Sequence, residues 1–183
     1  MHVVDVIIPA IWIAFWVYWV VASLQAKATQ KRAASSLPIR VAIVLVVFAL
    51  FRSSAFKGHS TTIDNPGLEI VGLAVFMLGL ALAIWARVYL GRNWGTPMSQ
   101  KVDPELVTTG PYRHIRHPIY AGILLGLIGS AIAISVYWFV VVVLLGGYFV
   151  FSATVEERNM ERLFPGTYSA YKSSTKMLIP FVF

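Results

Sequence analysis

The sequence predicts an all-α integral membrane protein of about five transmembrane helices, and three observations carry that prediction. Of 183 residues, 58% are hydrophobic and only 13% charged, whereas a soluble domain is nearer a quarter charged. The mean hydropathy is +0.73. Charge-poor runs recur that reach the ~20 residues a helix needs to cross a ~30 Å hydrocarbon core.

The elements follow in order. Between Asp5 and Lys27 there is no charge, and the run from Val3 to Leu24 holds Trp12, Trp16, Tyr18 and Trp19, so it reads as a spanning helix. Its amino end carries Asp5 and no Lys or Arg, which does not suit a cleavable signal peptide. A polar linker, QAKATQKRAASSLP, comes next; Pro38 suits the first turn of a second helix from Ile39 to Phe56, with Arg40 and Arg52 snorkelling to opposite interfaces. KGHSTTIDNPG is a loop, and the third helix, Gly67 to Leu90, offers Gly72 and Gly79 for close packing. From Ile119 to Val155 there is no Asp, Glu, Lys or Arg, too long a run for one untilted span and right for a helical hairpin turning near Ser135. Residues 1–66 then form an amino-terminal part of two helices, and residues 67–183 a second part with the hydrophilic loop Gly91 to Pro118 and a polar tail from Glu156.

With no cysteine, disulfides, thiolate nucleophiles and thiolate metal sites are excluded, so any chemistry falls to oxygen and nitrogen groups. The formal charge of +7 matches basic loops at a membrane surface better than nucleic-acid binding. Lys27, Lys31, Arg32 and Arg40 follow the first span, Arg92, Lys101, Arg113 and Arg116 the third, and Arg158, Arg162, Lys172 and Lys176 the fifth. Five spans put all three groups on one side, so the expected orientation has the amino terminus outside and the carboxyl terminus in the cytoplasm. GPYRHIRHPIYAG and EERNMERLFPGTYSAY then meet at the cytoplasmic face, at the two open ends of the hairpin.

Together these segments offer a divided set of groups. Arg113, His114, Arg116 and His117 are donors for an anion, and Pro118 starts a helix whose free amides favour one. Glu156 and Glu157 lie where the last helix leaves hydrocarbon, a costly place for carboxylates without a cation or water. Trp94, Tyr112, Tyr120, Tyr168 and Tyr171 have faces for a heterocycle or a sulfonium. The pair His114 and His117, without cysteine or carboxylates nearby in sequence, does not make a metal site, and no metal is expected. The ligand that uses every part has a carboxylate, an ammonium, a purine and an apolar reaction partner.

LGRNW, LVTTGPYRHIRHPIYAG and EERNMERLFPGTYSAY, in this order and spacing, resemble the isoprenylcysteine carboxyl methyltransferase family of integral membrane methyltransferases, relatives of the phospholipid methyltransferases. The likeness is rich in motifs from Leu90 to Tyr171 and only compositional before that. It implies that residues 67–183 are a catalytic region that binds S-adenosylmethionine at the cytoplasmic face and meets a lipid or prenylated acceptor from the bilayer. Carried over by residue, it implies Tyr112, Arg116, His117, Tyr120, Gly122, Glu156 and Glu157 at the cofactor. The two carboxylates are assigned to the methionine ammonium and ribose, and the His and Arg groups to the methionine carboxylate.

Arg92, Asn93 and Trp94 are expected at the acceptor, and Arg158, His114 and Arg113 as catalytic candidates. A carboxylate acceptor needs no general base but a cation to hold it; an amine must lose a proton, to His114 or a glutamate. FVFSATV, before the glutamate pair, lacks the basic residue common in the carboxyl-methylating branch, leaving Arg92, Arg113 or Arg158 to supply the charge. The expected activity is carboxyl O-methylation of the isoprenylcysteine type, with lipid amine N-methylation second. A sterol-type reductase using NADPH is a more distant alternative, and a small transporter or scaffold would need polar residues within the spans.

Overall fold

A computed structural model describes residues 2–32, 63–96 and 98–180, with isolated positions between 38 and 49. The expected second span, Ile39 to Phe56, lies outside the continuously described residues. The described fold is built from α1 (Val4–Ser23), α2 (Pro66–Leu90), α3 (Pro118–Ala133), α4 (Trp138–Leu163) and α5 (Thr167–Ser174). Three are long and apolar enough to cross a membrane: α1, α4, and α2 with its 3-10 extension to Asn93. α3 is a shorter apolar helix of 16 residues. The hairpin turn falls where expected, since α3 stops at Ala133, α4 starts at Trp138, and Ser135 is buried in the connection.

Local chemistry sets the helix ends. Asn65 Oδ1 accepts from the backbone N–H groups of Gly67 at 2.9 Å and Leu68 at 3.2 Å, and Pro66 fills the first position, where no N–H is needed. At the other end Gly91 adopts φ +52°, a left-handed conformation that suits glycine, and returns its N–H to the Arg87 carbonyl. Pro118 likewise opens α3 in its first turn, as the sequence predicts.

α2 and α3 form the central pair. Gly72 and Gly79 do serve as close-packing positions: a Cβ on either would strike the α3 backbone around Gly129, Ala133 and Gly126. Small residues allow helix backbones to approach where lipid supplies no hydrophobic drive between helices. α1 lies across this pair, with the Trp12 indole donating to Ser130 Oγ at 3.1 Å and its ring 5.5 Å from Phe76.

The fold class needs one amendment. After α1, Thr29–Arg32 (β1) pairs antiparallel with Ser99–Lys101 (β2), so the linker and the hydrophilic loop form a short two-stranded ribbon, while everything else regular in the described residues is helical. Behind α5 the tail returns to the Arg-His-Pro segment. Arg116 N–H donates to the Lys176 carbonyl at 2.8 Å and His117 N–H to that of Met177 at 3.0 Å.

Candidate functional site

A cavity of about 400 Å³ lies where the loop-side ends of the helices converge, within the size range of small-molecule sites. α1 gives it Trp16 and Trp19, the loop Asn93 to Val107 one side, the start of α3 Tyr120 and Ile123, and the end of α4 Glu156 and Asn159. Its walls are mainly apolar and aromatic, with a few polar groups, the composition expected of a ligand site.

Glu156 is the best-defined of those polar groups. Its Oε1 accepts from the Tyr120 hydroxyl at 2.6 Å and from Met98 N–H at 2.8 Å, and its Oε2 lies 3.6 Å from His117 Nδ1. Met98 is buried with φ +61°, an uncommon conformation for a residue with a side chain, and the glutamate holds its amide there. The rings of His117, Tyr120 and Phe149 stack in series, with centroids 5.4 Å and 4.4 Å apart and planes within 4°. Two further lining groups, Asn93 Oδ1 and Ser99 Oγ, are buried with no hydrogen-bond partner among the described residues. Unsatisfied buried polar atoms on a cavity wall are natural partners for a polar ligand.

Glu157 faces the other way. Its side chain is 3% exposed and is absent from the lining; Oε1 meets Arg116 Nε at 2.7 Å and His117 Nε2 at 3.4 Å, and Oε2 meets Lys172 Nζ at 3.1 Å. Arg116 also donates to the carbonyls of Thr175 and Lys172. This hub joins α4, α5, the tail and the segment before α3. Successive helix residues point ~100° apart, and here that turn takes Glu157 off the cavity wall and into the hub. Glu157 instead extends the buried stripe of Phe149 and Ala153 at intervals of four.

The tyrosines around the hub are held protonated. Burial pushes the Tyr171 phenol up to about 12 and raises those of Tyr112 and Tyr168 further. Tyr171 donates its hydroxyl to the Tyr112 carbonyl at 2.6 Å. Lys172 is shifted upward by its hydrogen bonds to Glu161 and Glu157. On the loop, Glu105 is shifted downward by hydrogen bonds from Lys27 and Asn93.

Of the residues expected at the site, Tyr112, Arg116, His117, Tyr120, Glu156, Asn93 and Trp94 line the cavity. Gly122 does not: it belongs to the α2–α3 seam, where a Cβ would come within 2.6 Å of Ala83 N. Arg158, two residues beyond Glu156 and so on the far side of α4, is exposed, as are Arg92, Arg113 and His114. Sequence reasoning did not single out Trp16 and Trp19 as lining residues, nor Ser99, Glu105 and Asn159. For Asn159 a signal existed, since it stands three residues from Glu156 on the same helix face. The loop residues carried none, because their placement depends on the ribbon with β1.

Fold and site together define a multi-pass helical membrane protein with a polar-tipped ligand cavity at one end of its apolar helices. Residues 68–167, more than half of the chain, match the phospholipid methyltransferase family, and the chain belongs to it. It is similar to two curated bacterial proteins. One is the nickel-cobalt-cadmium resistance protein NccN of Alcaligenes xylosoxydans xylosoxydans, 35% identical over 91 residues that make up 49% of this chain and 40% of that protein. The other is the cobalt-zinc-cadmium resistance protein CzcN of Cupriavidus metallidurans, 29% identical over 144 residues, 77% of this chain and 63% of that protein. The chain thus spans less than two thirds of the length of either. The family match is to the phospholipid methyltransferases and carries no isoprenylcysteine-type specificity.

Proposed function

We propose that this chain transfers a methyl group from S-adenosylmethionine to a lipid-borne acceptor in the cavity at the loop face. The observation that carries this reading is Glu156, a carboxylate fixed by Tyr120 and Met98 on the wall of an aromatic cavity. The residues fit such a cofactor: a carboxylate for an ammonium or ribose hydroxyl, stacked rings for a cation or purine, and orphaned Asn93 and Ser99 atoms for further polar groups. When bound, S-adenosylmethionine supplies a methyl group on a cationic sulfur. Glu156 and His117 would hold its methionine end, and Trp94 and Tyr120 would offer faces to its ring and sulfonium. Arg116 and Glu157 act at one remove, fixing His117 and the start of α3.

Methyl displacement needs alignment and exclusion of water rather than a covalent nucleophile from the protein. The apolar walls Trp16, Trp19, Leu90 and Ile123 suit an acceptor with a hydrocarbon tail. The preferred acceptor is a carboxylate of the isoprenylcysteine type; a lipid amine is the second reading, supported by the family to which the chain belongs. In this reading the cavity faces the cytoplasm and the amino terminus lies outside, since basic residues crowd the loop side. The cysteine-free sequence suits a direct check: a single cysteine at Asp64 should label in intact cells and one at Arg113 only after the membrane is opened, and the reverse pattern would remove the orientation.

The test of activity incubates the purified chain with labelled S-adenosylmethionine and a panel of farnesylated cysteine, phosphatidylethanolamine and native lipid extract. Thermal stabilisation by S-adenosylhomocysteine but not NADPH, with label on the farnesylated cysteine, is the expected result. Stabilisation by NADPH alone would favour a reductase, and label on the amine lipid alone would replace the carboxylate.

A further inference from the structure

Arg87 is a buried cation that the reading above leaves unused. It lies near the loop-side end of α2 and is 4% exposed. Nη1 donates to the Gly91 carbonyl at 2.7 Å and Nη2 to the Ala22 carbonyl at 2.6 Å, while Nε is buried with no hydrogen-bond partner among the described residues. Those carbonyls belong to the ends of α1 and α2, so the negative poles of two helices meet at this guanidinium. Partial charges and carbonyl bonds make its burial tolerable without supplying a full counter-charge. No carboxylate pairs with it among the described residues.

Its position gives that charge an outlet. The guanidinium carbon lies 4.8 Å from the centre of the Trp94 ring, and Trp94, Leu90 and Tyr112 all line the cavity. The other ionised groups near the cavity are largely matched: Arg116 by Glu157, and Glu105 by Lys27 at 2.8 Å. Glu156 is the negative group on the α4 wall. The cavity is therefore electrically two-ended, negative at Glu156 and positive behind Trp94. A sulfonium suits the first end, and an anion suits the second.

We infer that Arg87 sets the charge preference of the acceptor, favouring a carboxylate over an ammonium through the Trp94 wall; this inference rests on the methyl-transfer reading above. In the step itself, a carboxylate oxygen forms the C–O bond with its own lone pair as the S–CH3 bond breaks and its electron pair stays on sulfur. No proton leaves, and the negative and positive charges cancel. A cation one ring away from the acceptor holds the carboxylate and disfavours an ammonium. Arg87 touches neither reacting atom and is a positioning residue, worth about tenfold in acceptor preference once the two helix poles and water screen most of its charge.

The test uses two acceptors with one farnesyl tail, N-acetyl-S-farnesylcysteine and S-farnesylcysteamine, with the full chain and its Arg87→Met and Arg87→Lys variants. Wild type should prefer the carboxylate. Arg87→Met should lower the carboxylate-to-amine ratio of kcat/KM about tenfold, mainly through acceptor KM, with S-adenosylhomocysteine affinity unchanged. Arg87→Lys should retain most of the ratio, because the charge remains. A wild-type preference for the amine, or an unchanged ratio in Arg87→Met, overturns the inference while leaving methyl transfer intact. If Arg87→Met does not fold, the wild-type preference and the Arg87→Lys ratio decide: a ratio in Arg87→Lys that falls as far as the tenfold expected for charge loss overturns it. Failure of wild type to bind S-adenosylhomocysteine or label either acceptor overturns the parent reading.

Discussion

Two sides of α4 are built from the same residue type and differ in almost every physical respect. On one side Glu156 faces a cavity, held by a phenol and one backbone amide. On the other Glu157 is enclosed by Arg116, His117 and Lys172 and joins four segments. A carboxylate facing a cavity has capacity left for a ligand, whereas one surrounded by cations is already spent on the fold. Adjacent positions in a motif need not share a role.

The sharpest way to break this contrast is Glu157→Ala. It leaves the buried Arg116 without its carboxylate, while Lys172 keeps Glu161, and should cost about 3–5 kcal/mol of stability, as breaking buried pairs does; a denaturation shift near zero would show that the hub is not structural. Glu156→Gln keeps the shape and should spare stability. It should weaken S-adenosylhomocysteine binding by at least tenfold, in line with ~1.5–3 kcal/mol for a hydrogen bond to a charged group, and calorimetry showing wild-type affinity would remove the proposed role.

Alkaline titration probes the hub more gently. Tyr171 ionises near 10 when unfolded and at about 12 when folded. The folded chain therefore holds more protons between those values, so stability should be level below pH 10 and fall as pH rises through 12. The upward shifts of Tyr168 and Lys172 act in the same direction. A stability maximum above pH 10 in thermal scans would contradict this sign. The smallest effect is expected at Lys27→Ala on the cavity side. Its partner Glu105 is well exposed, so loss of this pair should leave the melting temperature unchanged within error.

Much of the fold was legible because breakers and runs of hydrocarbon residues are local signals. Pro118 and Gly91 mark real ends, Ser135 lies in the hairpin turn, and Gly72 and Gly79 meet α3. The start of α2 is nearly legible: Asn65 caps it and Pro66 opens it, one residue before the Gly67 that the loop composition predicts. What lay beyond reach depends on contacts across long sequence separations. The tail carbonyl of Thr175 satisfies Arg116, and Arg87 reaches Ala22 on another helix. Helix periodicity sets Glu156 and Glu157 ~100° apart, but the contacts of Glu157 with Arg116 and Lys172 decide which of the two leaves the cavity. Gly122 follows the same rule, since two residues after Tyr120 it points into the helix seam and away from the ring stack.

The return of the tail to the Arg-His-Pro segment also bears on the order of biosynthesis. Arg116 takes its carbonyl partners from Lys172, Thr175 and Lys176, all translated after the five described helices have begun and after α4 is complete. The residues that seat the Arg-His-Pro segment are therefore made after that segment, which reaches its described position only once the tail has folded back onto it. Completion of the Arg116 hub waits on the tail, and a chain ended before Lys172 would lack all three of these carbonyl partners.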